Sequence, residues 1–208
     1  DLVRKPESQN KIIGTSWILA MIGTLTSLLF VTIVVTILPH DNITILVIAI
    51  LCVGQLFTPF HVTQNIFFAT TNTKYFSLGQ LAVHIVVSAL KVFAMISGNG
   101  VLVLAMVILF EHILIAAMSL TLYIRYTHSN PMHWRWDSSY AKNIALDSLP
   151  FVLITMSTVV AGRIDQVFIK HFIDTTEVGL YNVAVQLTEL WQVLPQMLIA
   201  VLFPAIVN

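Results

Sequence analysis

The sequence predicts an all-α integral membrane protein with six transmembrane helices. Hydrophobic residues fill 57% of 208 positions and charged residues only 10%, with a mean hydropathy of +0.88. A soluble domain carries about 25% charged residues to keep its surface hydrated, so this composition excludes one. Apolar stretches recur at the length of about 20 residues that crosses hydrocarbon at ~1.5 Å per residue. Basic residues are segregated to one side of those stretches.

The spans fall at 12–38, 43–69, 77–96, 101–126, 149–172 and 180–206. Several exceed the minimum and imply tilt. Connections are short at 39–42, 70–76, 97–100 and 173–179, and long at 127–148. Gly98 and Gly100 flank Asn99 in a tight turn where positive φ is cheap. Arg4, Lys5, Lys11, Lys74, Arg125, Arg135 and Lys142 fall on one side. The opposite loops offer only nearby Lys170, with Asp41, Asp174 and Glu177. By the positive-inside rule the basic side is cytoplasmic. In the segment 127–148, Trp134, Trp136, Tyr140 and Ile144 suggest an interfacial patch. Ser148 before Pro150 reads as the start of the fifth span. The organisation is therefore 1–126, a cytoplasmic linker 127–148, and 149–208. With no initiator methionine and no signal-peptide pattern, the chain reads as an internal piece of a longer protein.

Polar residues align along three spans. Ser77, Gln80, His84, Ser88 and Lys91 fall within about 80° of arc on the third. Gly54, Thr58, His61 and Asn65 lie within about 60° on the second, around Pro59. Asn182, Gln186, Glu189, Gln192 and Gln196 cover about 120° on the sixth. Small hydroxyl residues and glycines alone would read as helix packing, as on the first span with Gly14 and Gly23. Ionisable residues at membrane depth are another matter. Burying Arg163 or Asp165 in hydrocarbon costs about 2.5–3.5 kcal/mol each, so these charges need an interior or watery cavity. His84, Lys91, Glu111 and Glu189 join them. Lys170 and His171 lie near an end and can snorkel.

Arg163 and Asp165 point about 160° apart on a helix, so each needs a partner elsewhere. Arg163 and Glu189 lie at matching depths of about 15 Å either side of the outer turn, which predicts that they pair. Lys91 and Glu111 straddle the 97–100 turn less evenly. Pro59 and Pro195 each remove a backbone hydrogen bond, freeing the carbonyls of Gln55 and Trp191, and are candidate hinges.

Other chemistries find no support. There is no phosphate loop, HExxH or paired-cysteine spacing, and lone Cys52 excludes an internal disulfide. Glu111 and His112 are sequence neighbours and make a poor metal site. Ten basic and ten acidic residues leave no basic patch for nucleic acid. No nucleophile–base set can be assembled, and no cofactor or metal is expected. Asn42-Ile43-Thr44 matches a glycosylation acceptor by chance.

From Arg163 onward the sequence resembles the Wzx-type polysaccharide flippases, in the MOP superfamily with the MATE exporters and the lipid II flippase MurJ. The resemblance rests on R-I-D-Q at Arg163–Gln166, V-G-L-Y at Val178–Tyr181, Ala184, Glu189, Trp191, Pro195 and Phe203-Pro204. The FFATTNTKYF turn and the W-R-W…K segment before SLP extend it upstream. The resemblance implies a two-lobe bundle of roughly 12–14 helices with a central cavity, as in transporters built from repeats. This chain would supply the family's third to eighth helices, with 127–148 joining the lobes. It further implies a bacterial inner-membrane protein that is not an enzyme. Its substrate would be an undecaprenyl-pyrophosphate-linked oligosaccharide, moved outward for O-antigen or capsule assembly, alongside a polymerase and a chain-length regulator. Arg163 and Lys91 would attract phosphate. His84, Gln80, Gln186 and Gln192 would meet sugar hydroxyls, and Glu111, Asp165 and Glu189 are candidates for coupling to H+ or Na+. A MATE-like cation or multidrug exporter is the alternative. A polysaccharide polymerase or ligase fits less well, because the outer loops are only a few residues long. A purely structural subunit fits least.

Overall fold

A computed structural model of the chain describes residues 9–37, 41–69, 73–98, 100–127, 131–174 and 176–191. Arg4, Lys5, Gln192, Pro195, Gln196 and the end of the sixth span lie outside the described residues. Among the described residues the fold is all-α, with five helical stretches long and apolar enough to cross a membrane. The chain divides into two compact units, Asp1–Ala145 and Leu146–Asn208.

In the first unit, α1 (Gln9–Ile37) buries only its beginning, at Ile12, Ile13, Gly14 and Thr15. Further along, Ile22, Leu29 and Phe30 are exposed, as suits a helix turned to lipid. Asp41 starts α2 (Asn42–Gln55) by accepting the Thr44 N–H at 3.2 Å. The Thr44 hydroxyl, and then its N–H, hold the Asp41 carboxyl below the ordinary aspartate range. Next come α3 (Gln64–Ala69), α4 (Thr73–Ile96) and α5 (Val101–Thr127). Gly98 takes the expected positive φ, 69°, in the turn between α4 and α5.

The second span is not one continuous helix. Between α2 and α3 it tightens to a 3-10 turn, Thr58–Thr63, with Pro59 at its start and buried. Pro59 lacks the N–H that would reach back one turn. The freed Gln55 carbonyl accepts the Thr58 hydroxyl at 2.8 Å. The Phe60 carbonyl accepts Thr63 Oγ1 at 2.9 Å and Ser119 Oγ at 3.5 Å. At Gln55 a side chain thus replaces the missing backbone donor, where water is scarce.

The core at this level is Ile13, Ile66 and Tyr123, with Val62 and Trp134 packed against it. Trp134 corrects the sequence expectation: it turns into the bundle instead of marking the interface. Its Nε1–H donates to Tyr123 Oη at 3.1 Å, and its ring meets Trp17 at 5.7 Å. The backbone beside it is strapped to α1. The Arg135 N–H donates to the Asn10 carbonyl at 3.2 Å, and the Asp137 N–H donates to Thr15 Oγ1 at 3.0 Å. Gly14 permits this approach, since a Cβ there would stand 2.7 Å from the Arg135 nitrogen.

α6 (Ser138–Ala161) also begins earlier than the sequence suggested. Asp137 Oδ1 accepts the Tyr140 N–H at 3.0 Å and its carbonyl accepts the Ala141 N–H at 2.9 Å, so the helix starts there and not at Ser148. Pro150 lies inside it, which costs the Leu146 carbonyl its helical partner. A second break follows at Gly162 and Arg163, before α7 (Ile164–Phe172). The last described helix, α8, covers 176–191.

Candidate functional site

The polar residues gather in two clusters, one in each unit. In the first unit, α5 packs against both α2 and α4. His84 and Lys91 are two helical turns apart and share a face of α4. Both reach Glu111 on α5. Glu111 Oε2 accepts Lys91 Nζ at 2.7 Å, and Oε1 accepts His84 Nδ1–H at 3.0 Å. The Glu111 side chain is only 15% exposed. The uneven depths of Lys91 and Glu111 do not prevent pairing, because a lysine stem spans about one turn. Gln80 lies one turn before His84 on α4.

Glu111 also lines a cavity of about 410 Å³ with Thr58, His61, His112 and Ile115. His112 Nδ1–H donates to the Ile108 carbonyl at 2.8 Å. In the neutral ring that leaves Nε2 as an acceptor. A Cβ on Gly54 would lie 3.5 Å from His112 Nδ1, so this glycine lets the broken second span close on α5. The Thr58 hydroxyl hydrogen is committed to Gln55. The cavity is therefore rich in acceptors, and Lys91 already balances the charge of Glu111.

In the second unit the break at 162–163 sets the geometry. The Arg163 N–H reaches back three residues, to Val160, at 3.2 Å. Its Nη2 stands 3.9 Å from Glu189 Oε1, with the side chains 51% and 50% exposed. This is the pairing the matching depths required, and it is loose. Asp165 faces other partners: the Tyr181 hydroxyl donates to Oδ2, and the Gln166 N–H donates to Oδ1 at 2.8 Å. Gln166 Nε2 donates to Asn182 Oδ1 at 3.4 Å. Together these contacts stitch α8 to α7.

Arg163, Asp165, Tyr181, Glu189, Thr158 and Thr188 lie on the wall of a cavity of about 670 Å³. Gln186 lines a neighbouring space with Glu189. Tyr181 ends the V-G-L-Y motif but is not among the polar site residues expected from the sequence, because its ring is apolar and only its tip is polar.

Residues 3–208 match the family model described as polysaccharide biosynthesis protein. The chain belongs to the polysaccharide biosynthesis protein family. That family covers the Wzx-type flippases of the MOP superfamily, so the resemblance seen from Arg163 onward holds along nearly the whole chain. No curated protein and no solved structure matches it. As a member of this family, with five apolar spans among its described residues, the chain is a multi-pass membrane protein with a role in polysaccharide synthesis or export.

Proposed function

We propose that this polysaccharide biosynthesis protein is a flippase and not an enzyme. It moves undecaprenyl-pyrophosphate-linked oligosaccharide across the bacterial inner membrane by alternating access, delivering it for O-antigen or capsule assembly. The observation that carries this reading is the half-exposed Arg163 guanidinium on the wall of the 670 Å³ cavity. A guanidinium matches phosphoryl oxygens in charge and in fork geometry. Lys91 has a lesser part, because its ammonium is matched to Glu111 at 2.7 Å. Gln80, His84, Gln186 and Gln192 serve sugar hydroxyls, and His112 adds an acceptor beside them. Glu111 and Asp165 are the carboxylates through which H+ or Na+ coupling would act. A polymerase and a chain-length regulator would receive the product.

R163Q at normal protein level should abolish surface polysaccharide. Unchanged polysaccharide would remove Arg163 from the mechanism. One observation favours a second reading, a MATE-like cation exporter: Asp165 and Glu189 give the Arg163 cavity an excess of negative charge. That reading requires the purified protein to bind organic cations and to ignore prenyl pyrophosphates.

A further inference from the structure

Taking Arg163 as the pyrophosphate anchor, as just argued, we propose that Glu189 is a built-in stand-in for the ligand's anionic group. Its carboxylate holds the guanidinium until a pyrophosphate displaces it, and its repulsion then hastens release.

The two ion pairs of the described chain's polar clusters differ in kind. Lys91 and Glu111 meet at 2.7 Å with the carboxylate largely enclosed and His84 on its other oxygen. Arg163 and Glu189 stand 3.9 Å apart with both side chains half exposed. The first pair is closed; the second leaves room for a competitor. A loose, half-exposed pair is also worth little by itself, so exchanging one partner is cheap.

The hydroxyl donors lining the cavity are already engaged. Thr158 Oγ1 donates to the Ile154 carbonyl at 2.9 Å, and Thr188 Oγ1 donates to the Ala184 carbonyl at 3.0 Å. The Tyr181 hydroxyl donates to Asp165. Among the described residues lining the space, Arg163 is therefore the side-chain donor held by nothing tighter than its loose pair with Glu189. An entering phosphoryl group and the Glu189 carboxylate compete for the same N–H fork. Asp165 takes less part in that competition: its oxygens accept from Tyr181 and the Gln166 N–H, and among the described residues it forms no ion pair with Arg163. Once displaced, Glu189 remains at the cavity wall as a negative charge beside the bound anion, which shortens the ligand's stay.

The test is farnesyl pyrophosphate binding to the full-length protein in nanodiscs, with surface polysaccharide measured for the same variants in cells. E189Q should tighten binding about tenfold, the size expected for removing one half-exposed charge at ~4 Å, while slowing release and lowering polysaccharide output. D165N removes a charge from the same wall without freeing Arg163 and should change affinity less than about threefold on the same grounds. Equal tightening by both variants would mean a general charge effect and overturn the stand-in. So would unchanged or weaker binding by E189Q. Binding by wild type and E189Q that survives in R163Q would sink the anchor reading as well, as would an absence of binding by every form.

Discussion

Glu111 joins two basic side chains in the first unit, accepting from Lys91 and His84 at once. Glu111→Ala should lower thermal stability by about 1–2 kcal/mol, because a half-buried ammonium loses its partner; Glu111→Gln, which keeps an acceptor, should lose less. Equal melting temperatures for Ala and wild type would show that the pair adds nothing. Gly14 and Gly23 make a matched pair of tests on one helix. At Gly14 a methyl would meet the Arg135 backbone at 2.7–2.8 Å, whereas at Gly23 nothing lies within 4 Å. Gly14→Ala should therefore cost about 1–3 kcal/mol by overpacking and expose residues 131–137 to added protease, with Gly23→Ala as the silent control. Depth counting made the Arg163–Glu189 contact legible in the sequence, since hairpin geometry is nearly one-dimensional. It could not reveal that Asp165 belongs to Tyr181, because the break at Gly162–Arg163 turns α7 out of the register a continuous helix would keep.

Apolar length located every described span, because hydrocarbon thickness sets it directly. Interruptions were harder to read. Pro59 was visible, but the partner that replaces its missing N–H is the Thr58 hydroxyl, and the turn it opens is further tied through the Phe60 carbonyl to Thr63 and to Ser119 on another helix. Thr63 and Ser119 are fully buried. Thr63→Val, which keeps the shape and removes the hydroxyl, should destabilise the protein by about 1–2 kcal/mol by stripping the Phe60 carbonyl of its nearer donor; Thr121→Val, whose hydroxyl bonds its own helix on an exposed face, should change little. Calorimetry in detergent separates the two. Pro150 misled the reading in the opposite sense. A serine two residues before a proline looks like a helix start, yet the true start is fixed eleven residues before Ser148 by Asp137, whose capping bonds to Tyr140 and Ala141 leave no trace in hydropathy.

Charge asymmetry along the chain predicts its orientation in the bilayer, with Arg125, Arg135 and Lys142 expected on the cytoplasmic side. In a Cys52→Ala background, a cysteine at Gly98 should react with a membrane-impermeant thiol reagent added outside intact cells, and a cysteine at exposed Met132 should react only after the membrane is opened. The reverse labelling would invert the cavity's direction of loading. The strap across α1 bears on how such a chain is made. Thr15 bonds to residues 120 and 122 positions later. A ribosome delivers the first helix to the membrane long before it delivers Arg135 and Asp137. Until then Thr15 lacks both of those partners, so closure of the first unit waits on translation of its last segment.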